Sequence, residues 1–281
     1  MMEKIITLTT DFGLTDEYVG VMKGVILARA PGAKIIDLTH GISYQDIRQA
    51  AYVIHSACGY FPAGTIHIIV VDPWVGSSRR IVLLSFKGQL FLAPDNGVLT
   101  LLLQQKELDA AYEVTCEELY LKPVSHTFHG RDIFSPVAAA LINGMTPEDV
   151  GPSIDPNKLT VLTLPIVEVN QARGKIKGSV VRIDHFGNLM TNIHRDTCHE
   201  LFSEDEKDSV LVVIKGQIIH GLQSSYSSVG TGSLLAIFSS RDYLEIALNL
   251  GNASEQLNAN IGEEVTISFD KPILSLYKGT V

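Results

Sequence analysis

The sequence predicts an α/β protein in two parts. Residues 1–155 form a mostly parallel sheet with flanking helices, and residues 170–281 form a smaller, barrel-like all-β domain. Three observations predict this. Short apolar runs alternate with helical apolar spacing through the first half. One run, Ile68-Ile69-Val70-Val71, is continuously apolar, as suits a strand covered on both faces. Beyond the Gly- and Pro-containing stretch Gly151–Asn157, read as a linker, short strands follow one another with turn signals between them and little helix.

In order, Ile5–Thr9 is an apolar, β-branched strand. Tyr18–Ala30 has helical spacing, with Thr15 as the expected N-cap and Pro31 just past the end. Lys34–Leu38 is a second strand, Tyr44–Cys58 a second helix and Ile66–Val71 a third strand. Ile81–Phe86 continues the sheet, and Ile133–Leu141 is a further helix. In the second half, strands are expected at Lys175–Ile183, Ser209–Ile214, Leu234–Phe238, Tyr243–Ala247 and Val265–Phe269.

Composition narrows the function. With 46% hydrophobic residues, the 281-residue chain can bury sizeable cores. A net charge of −9 argues against a nucleic-acid partner, which needs clustered Lys and Arg, and is compatible with a cationic small ligand. Cys58, Cys116 and Cys198 are far apart and odd in number, which argues against a disulfide framework or a zinc site. Three reduced thiols, no visible signal peptide and no apolar run near ~18 residues point to a cytoplasmic protein without a membrane segment. His126 and His129 lack a further ligand set and HExxH is absent, so no metal is expected.

Polar chemistry collects in a few loops. Asp11 and Asp72 follow the first and third strands, where ligands gather in open α/β sheets, although either could simply cap a turn. The loop from Asp72 to Arg80 could fold Asp72 and Arg79 into an ion pair; the plainer alternative is a solvated basic pair. His129, between an aromatic residue and a glycine, is a candidate general base, while Arg131 and Asp132 would tie the loop down and begin the helix. The turn Ile183–Asn188 offers a carboxylate (Asp184), an aromatic face (Phe186) and an amide (Asn188). Those are the needs of a nucleoside amino acid, though an Asx-type turn would use the same residues. Ser240 and Arg241 follow an apolar strand, where Arg could bind a carboxylate.

Together these motifs resemble the S-adenosyl-L-methionine hydroxide adenosyltransferases, a family related to the bacterial fluorinase and chlorinase. The resemblance covers nearly the whole chain. It rests on Thr10-Asp11-Phe12-Gly13 with Asp16, Val71-Asp72-Pro73 through Arg79-Arg80, Ala93-Pro94-Asp95-Asn96-Gly97 and Thr127 through Asp132. Further on, Asp184 through Asn188 with Thr191-Asn192-Ile193, and Ser240-Arg241 with Tyr243-Leu244, complete it. It implies hydrolysis of S-adenosyl-L-methionine to adenosine and L-methionine by in-line attack of water on the ribose 5′ carbon. The small molecule is the substrate, and no cofactor is implied.

The resemblance also implies a homotrimer with active sites between subunits and a catalytic trio, Asp72, Arg79 and His129. By the same carry-over Asp11 holds the ribose hydroxyls, Asn188 the adenine, Phe186 flanks the base, and Asp184 meets the methionine ammonium. Ser240 and Arg241 meet the carboxylate, Tyr226 is a candidate adenine contact, and Glu245, two residues past Tyr243 on the same strand face, is a further substrate contact. One position departs: Trp74 stands where the family usually has Gly, and either narrows the nucleophile pocket or points to solvent. The halogenating relatives lack the Asp at the position of Asp72, so its presence favours water over halide. A halide adenosyltransferase and a non-catalytic adenosine or S-adenosylmethionine sensor are the alternatives.

Overall fold

The structure, a computed structural model, describes residues 4–105, 108–199, 201–202 and 204–269. Residues 270–281 of the predicted second domain lie outside the described residues. The chain divides into two units, Met1–Leu162 and Thr163–Val281.

The first unit contains β1 (Ile5–Thr10), α1 (Tyr18–Arg29), β2 (Lys34–Thr39), α2 (Ile47–Cys58), β3 (Ile66–Val70), β4 (Ile81–Phe86), β5 (Gln89–Pro94), α3 (Thr100–Leu103), β6 (Leu108–Glu113) and α4 (Ser135–Ile142). Its six-stranded sheet runs in the order β2-β1-β3-β5-β4-β6. The first four of these are parallel neighbours, and β4 is antiparallel to both β5 and β6. Ile81–Phe86 therefore reverses the sheet rather than extending its parallel order. The cause is local: Lys87 and Gly88 both have positive φ (51° and 69°), the geometry of a two-residue hairpin turn. β3 is buried along its whole length. One face of the sheet packs Ile6, Leu8 and Ile68 against Met22, Ile26 and Phe134. The other packs Ile69, Val82 and Phe91 against Ile54 and Leu102. Cover on both faces explains the uninterrupted apolar run.

Two helix starts differ from expectation. α1 begins after Glu17 with no side-chain cap, so the exposed Thr15 is not its N-cap. α2 begins at Ile47 because the Asp46 carboxylate accepts the Gln49 N–H at 2.8 Å and fixes the first turn there. Tyr44 and Gln45 thus stay in the preceding loop. The stretch Gly151–Asn157 is not a bare tether: Pro152 O accepts the Glu113 N–H at 2.9 Å, and Asp155 caps the short turn Pro156–Lys158.

Within this core, His67 is fully buried. Its Nδ1 meets Thr7 Oγ1 at 2.7 Å, its Nε2 meets Gln89 Oε1 at 3.3 Å, and its ring stacks on Phe91. Burial pushes its pKa from 6.5 down to about 4. The folded state therefore resists a proton that the unfolded chain accepts. Stability from this group is complete above pH 6.5 and falls as pH drops towards 4, by about 3 kcal/mol in all. Denaturant titrations across that window should show the loss, and a His67→Gln variant should have a flatter acid dependence. Equal slopes in the two proteins would count against this account.

The second unit contains β7 (Glu168–Asn170), β8 (Lys175–Ile183), β9 (Leu189–His194), α5 (Arg195–His199), β10 (Val210–Ile214), β11 (Gln217–His220), β12 (Leu222–Gln223), β13 (Leu234–Phe238), β14 (Tyr243–Leu248), α6 (Ala253–Leu257) and β15 (Glu264–Phe269). They form a nearly closed, barrel-like sheet in the order β11-β10-β15-β8-β9-β14-β13-β12, with β7 added on β8. Ile176, Val180, Leu189, Val212, Leu244, Ile246 and Ile267 fill its interior. Among the described residues, no helix is long and apolar enough to cross a membrane.

Candidate active site

The chain leaves β3 at Val70 and reaches Asp72 two residues later, at the carboxyl end of the sheet. The buried Asn96 amide donates to Val71 O at 2.8 Å and pins the strand end beside Asp72. The loop then folds back, with Val75 N–H donating to Asp72 O and Ser77 N–H to Trp74 O. This return brings Arg79 onto the Asp72 carboxylate. Arg79 Nε donates to Oδ1 at 2.8 Å and Oδ2 at 2.6 Å, and Nη2 also meets Oδ2. Both side chains are buried, so the pair is a desolvated one and not a solvated basic patch.

His129 arrives from another loop. It precedes a π-helical turn, Gly130–Phe134, in which Gly130 O accepts the Ser135 N–H. Asp132, fully buried, accepts the Ser125 N–H and pairs with Arg131, which ties the loop to the helix start. Arg79 Nη2 lies 3.1 Å from His129 Nδ1. A guanidinium can only donate, so Nδ1 accepts and the neutral ring carries its proton on Nε2. Burial, then the charge of Arg79, lowers the His129 pKa, with Asp72 opposing. The imidazole is thus a neutral donor at Nε2.

Asp72 and His129 line a cavity of about 430 Å³ with Asp11, Asp16, Tyr44 and Phe128. Arg79 is not among its lining residues; it bridges Asp72 and His129 from behind. Asp11 Oδ2 accepts the Gln45 N–H at 2.9 Å, and Gln45 holds φ 60°. Such a conformation in a non-glycine residue is uncommon and recurs at functional sites. Thr10 Oγ1 to His40 Nδ1 (2.8 Å) and Gly13 N–H to His40 O (2.8 Å) hold the loop on either side of Asp11. Phe12, Tyr18 and Phe128 pack edge to face as an aromatic wall. Sequence reading had placed Phe12 and Phe128 within motifs but assigned neither to the site, and it missed Tyr18 and Tyr44. Trp74 is 55% exposed and does not line the cavity.

The second unit has its own cavity of about 500 Å³. Asp184, Phe186, Tyr226, Ser240, Arg241 and Glu245 line it together with Arg182, which sequence reading overlooked. Asn188 does not line it. The turn is an Asx turn: Asp184 Oδ1 accepts the Phe186 and Asn188 N–H groups at 2.9 Å each, and Oδ2 accepts from Asn188 Nδ2 at 3.2 Å. Phe186 is not buried but 71% exposed, an open aromatic face. Tyr226 Oη donates to Glu245 Oε1 at 2.7 Å. Burial raises the pKa of Glu245, and the Tyr226 hydroxyl lowers it in part.

Fold and cavities define a two-domain enzyme, an α/β half joined to a barrel-like β half, with an Asp–Arg–His cluster at the carboxyl end of its parallel strands. The chain belongs to the SAM hydroxide adenosyltransferase family: residues 6–151 match its N-terminal domain and residues 178–266 its C-terminal domain. An (R)-S-adenosyl-L-methionine hydrolase of Salinispora arenicola is 33% identical over 94% of this chain and 97% of its own. A fluorinase of an Actinoplanes species is more distant, 27% identical over 94% of this chain and 97% of its own. A crystal structure of a conserved protein from Thermotoga maritima has a TM-score of 0.86 at 40% identity, covering 94% of this chain and 99% of that one.

Proposed function

We propose that this protein hydrolyses S-adenosyl-L-methionine to adenosine and L-methionine. The observation that carries the reading is the contiguous Asp72–Arg79–His129 cluster behind a cavity that also holds Asp11. Water attacks the ribose 5′ carbon in line with the departing sulfur. A C–O bond forms, the C–S bond breaks, and sulfur keeps the electron pair as a neutral thioether. No general acid is needed. His129 Nε2–H donates to the water oxygen and holds it in line, a placement worth up to ~7–11 kcal/mol in favourable cases. Asp72 takes the water proton, and Arg79 fixes the orientation of both neighbours.

Asp11 binds the ribose hydroxyls. Asp184 binds the methionine ammonium, Ser240 and Arg241 its carboxylate, and Phe186 and Tyr226 the adenine, with Glu245 supporting Tyr226 and Asn188 positioning Asp184 through its Nδ2. The active site is completed between subunits of a homotrimer in the cytoplasm, with no cofactor. The sign and spread of charge in the second cavity suit a zwitterionic amino acid.

The test is incubation with S-adenosyl-L-methionine in isotopically labelled water, with and without chloride. Label on the adenosine 5′ oxygen and no 5′-chloro product is the expected result. A halogenated product, adenine or methylthioadenosine would overturn it. Binding without methionine release would indicate a sensor.

A further inference from the structure

The barrel-like unit carries a cation that its own fold leaves unsatisfied. Arg182 is half-buried, and its Nε is shut off from solvent with no hydrogen-bond partner among the described residues. A buried guanidinium donor without an acceptor is costly and calls for an anion from outside the fold.

The backbone aims this side chain on purpose. Ile176 and Val180 point into the barrel core, so strict alternation along β8 would send residue 182 there too. A bulge between Val180 and Arg182 breaks the register with β9. Ile183 then packs on the core, and Arg182 turns to the opposite face. There it starts a cross-strand row. Arg182 pairs with Met190, Met190 with Glu245, and Glu245 with Ile237, and all four line the 500 Å³ cavity. Arg241 and Asp184 lie close enough to act on the Arg182 charge, the first unfavourably and the second favourably. The row sets a cation at one end and a carboxyl group two strands away.

We infer that Arg182 is a second guanidinium for the carboxylate of the amino-acid portion of the substrate, acting with Arg241. This deepens the hydrolase reading and rests on it. An incoming carboxylate supplies the missing acceptor, relieves the repulsion between the two arginines, and leaves Asp184 and Glu245 to the ammonium and its surroundings.

The test uses ligands that cannot be hydrolysed, so it does not depend on turnover. Equilibrium binding of S-adenosyl-L-homocysteine and of its decarboxylated counterpart is measured on the wild type, Arg182→Met and Arg182→Lys. Arg182→Met should weaken S-adenosyl-L-homocysteine about tenfold or more, as expected for a lost charge-assisted bond. It should leave the decarboxylated ligand within about twofold, and Arg182→Lys should restore part of the loss. Equal weakening of both ligands, or of neither, overturns the assignment. Failure of the wild type to release adenosine from S-adenosylmethionine would instead sink the hydrolase reading, a separate result.

Discussion

Replacing Asp72 by Asn is expected to lower kcat about a thousandfold while the dissociation constant for S-adenosylmethionine stays within about threefold. Asn keeps the shape and one acceptor, but it removes the negative charge that holds Arg79 through three contacts. Arg79 is then a buried cation without a counter-charge, which costs about 3–5 kcal/mol of stability. The variant should unfold at lower denaturant but remain folded in its absence. A second readout separates a role in the chemistry from a purely structural one. Asp72 favours protonation of His129, so removing its charge lowers the His129 pKa further. The proposed mechanism uses neutral His129, so the acid limb of kcat/KM should move to lower pH in the variant. Normal turnover, or an acid limb displaced upwards, would refute the roles assigned to both residues.

The same trio shows where sequence reading reached and where it stopped. Asp72 was legible because a carboxylate directly after the apolar run Ile68–Val71 marks the carboxyl end of a strand in a parallel sheet. The contact of its partner Arg79 with His129 was not, since nothing in residue spacing brings together side chains fifty positions apart along the chain; only the family resemblance paired them. Arg182 escaped for a more specific reason. Its alternation with Val180 reads as core-facing, and the bulge that reverses it leaves no mark in the residue types. Strand β5 escaped because it opens on Gln89 and ends on Pro94, which blunt its apolar run. Gln89 is spent on His67 and on the carbonyls of Cys58 and Phe61, a use visible only in three dimensions. The Asx turn at Asp184 and the binding role for the same residues were both open from sequence. The structure shows the turn, and the exposed Phe186 beside it leaves room for a ligand.

Gly76 provides the second large expected effect, because it sets how closely the Asp72–Arg79 loop and the His129 loop, which carry the proposed catalytic trio, approach each other. It has φ 80°, and a Cβ added there would lie 2.2 Å from His126 O, three residues before His129. Backbone cannot yield as a flexible side chain does, so Gly76→Ala must push the Asp72–Arg79 loop away from the His129 loop. Arg79 Nη2 and His129 Nδ1 now stand 3.1 Å apart, and a displacement near ~1 Å ends that bond and can cost about a hundredfold in kcat. The positive φ and the clash should also cost about 1–3 kcal/mol of stability. Gly24→Ala is the control. Gly24 lies exposed in α1 with nothing within 4 Å of an added Cβ, so Ala there should leave activity unchanged and stabilise by about 0.5–1 kcal/mol. A Gly76→Ala enzyme with full turnover would show that the approach of these two loops does not govern the reaction.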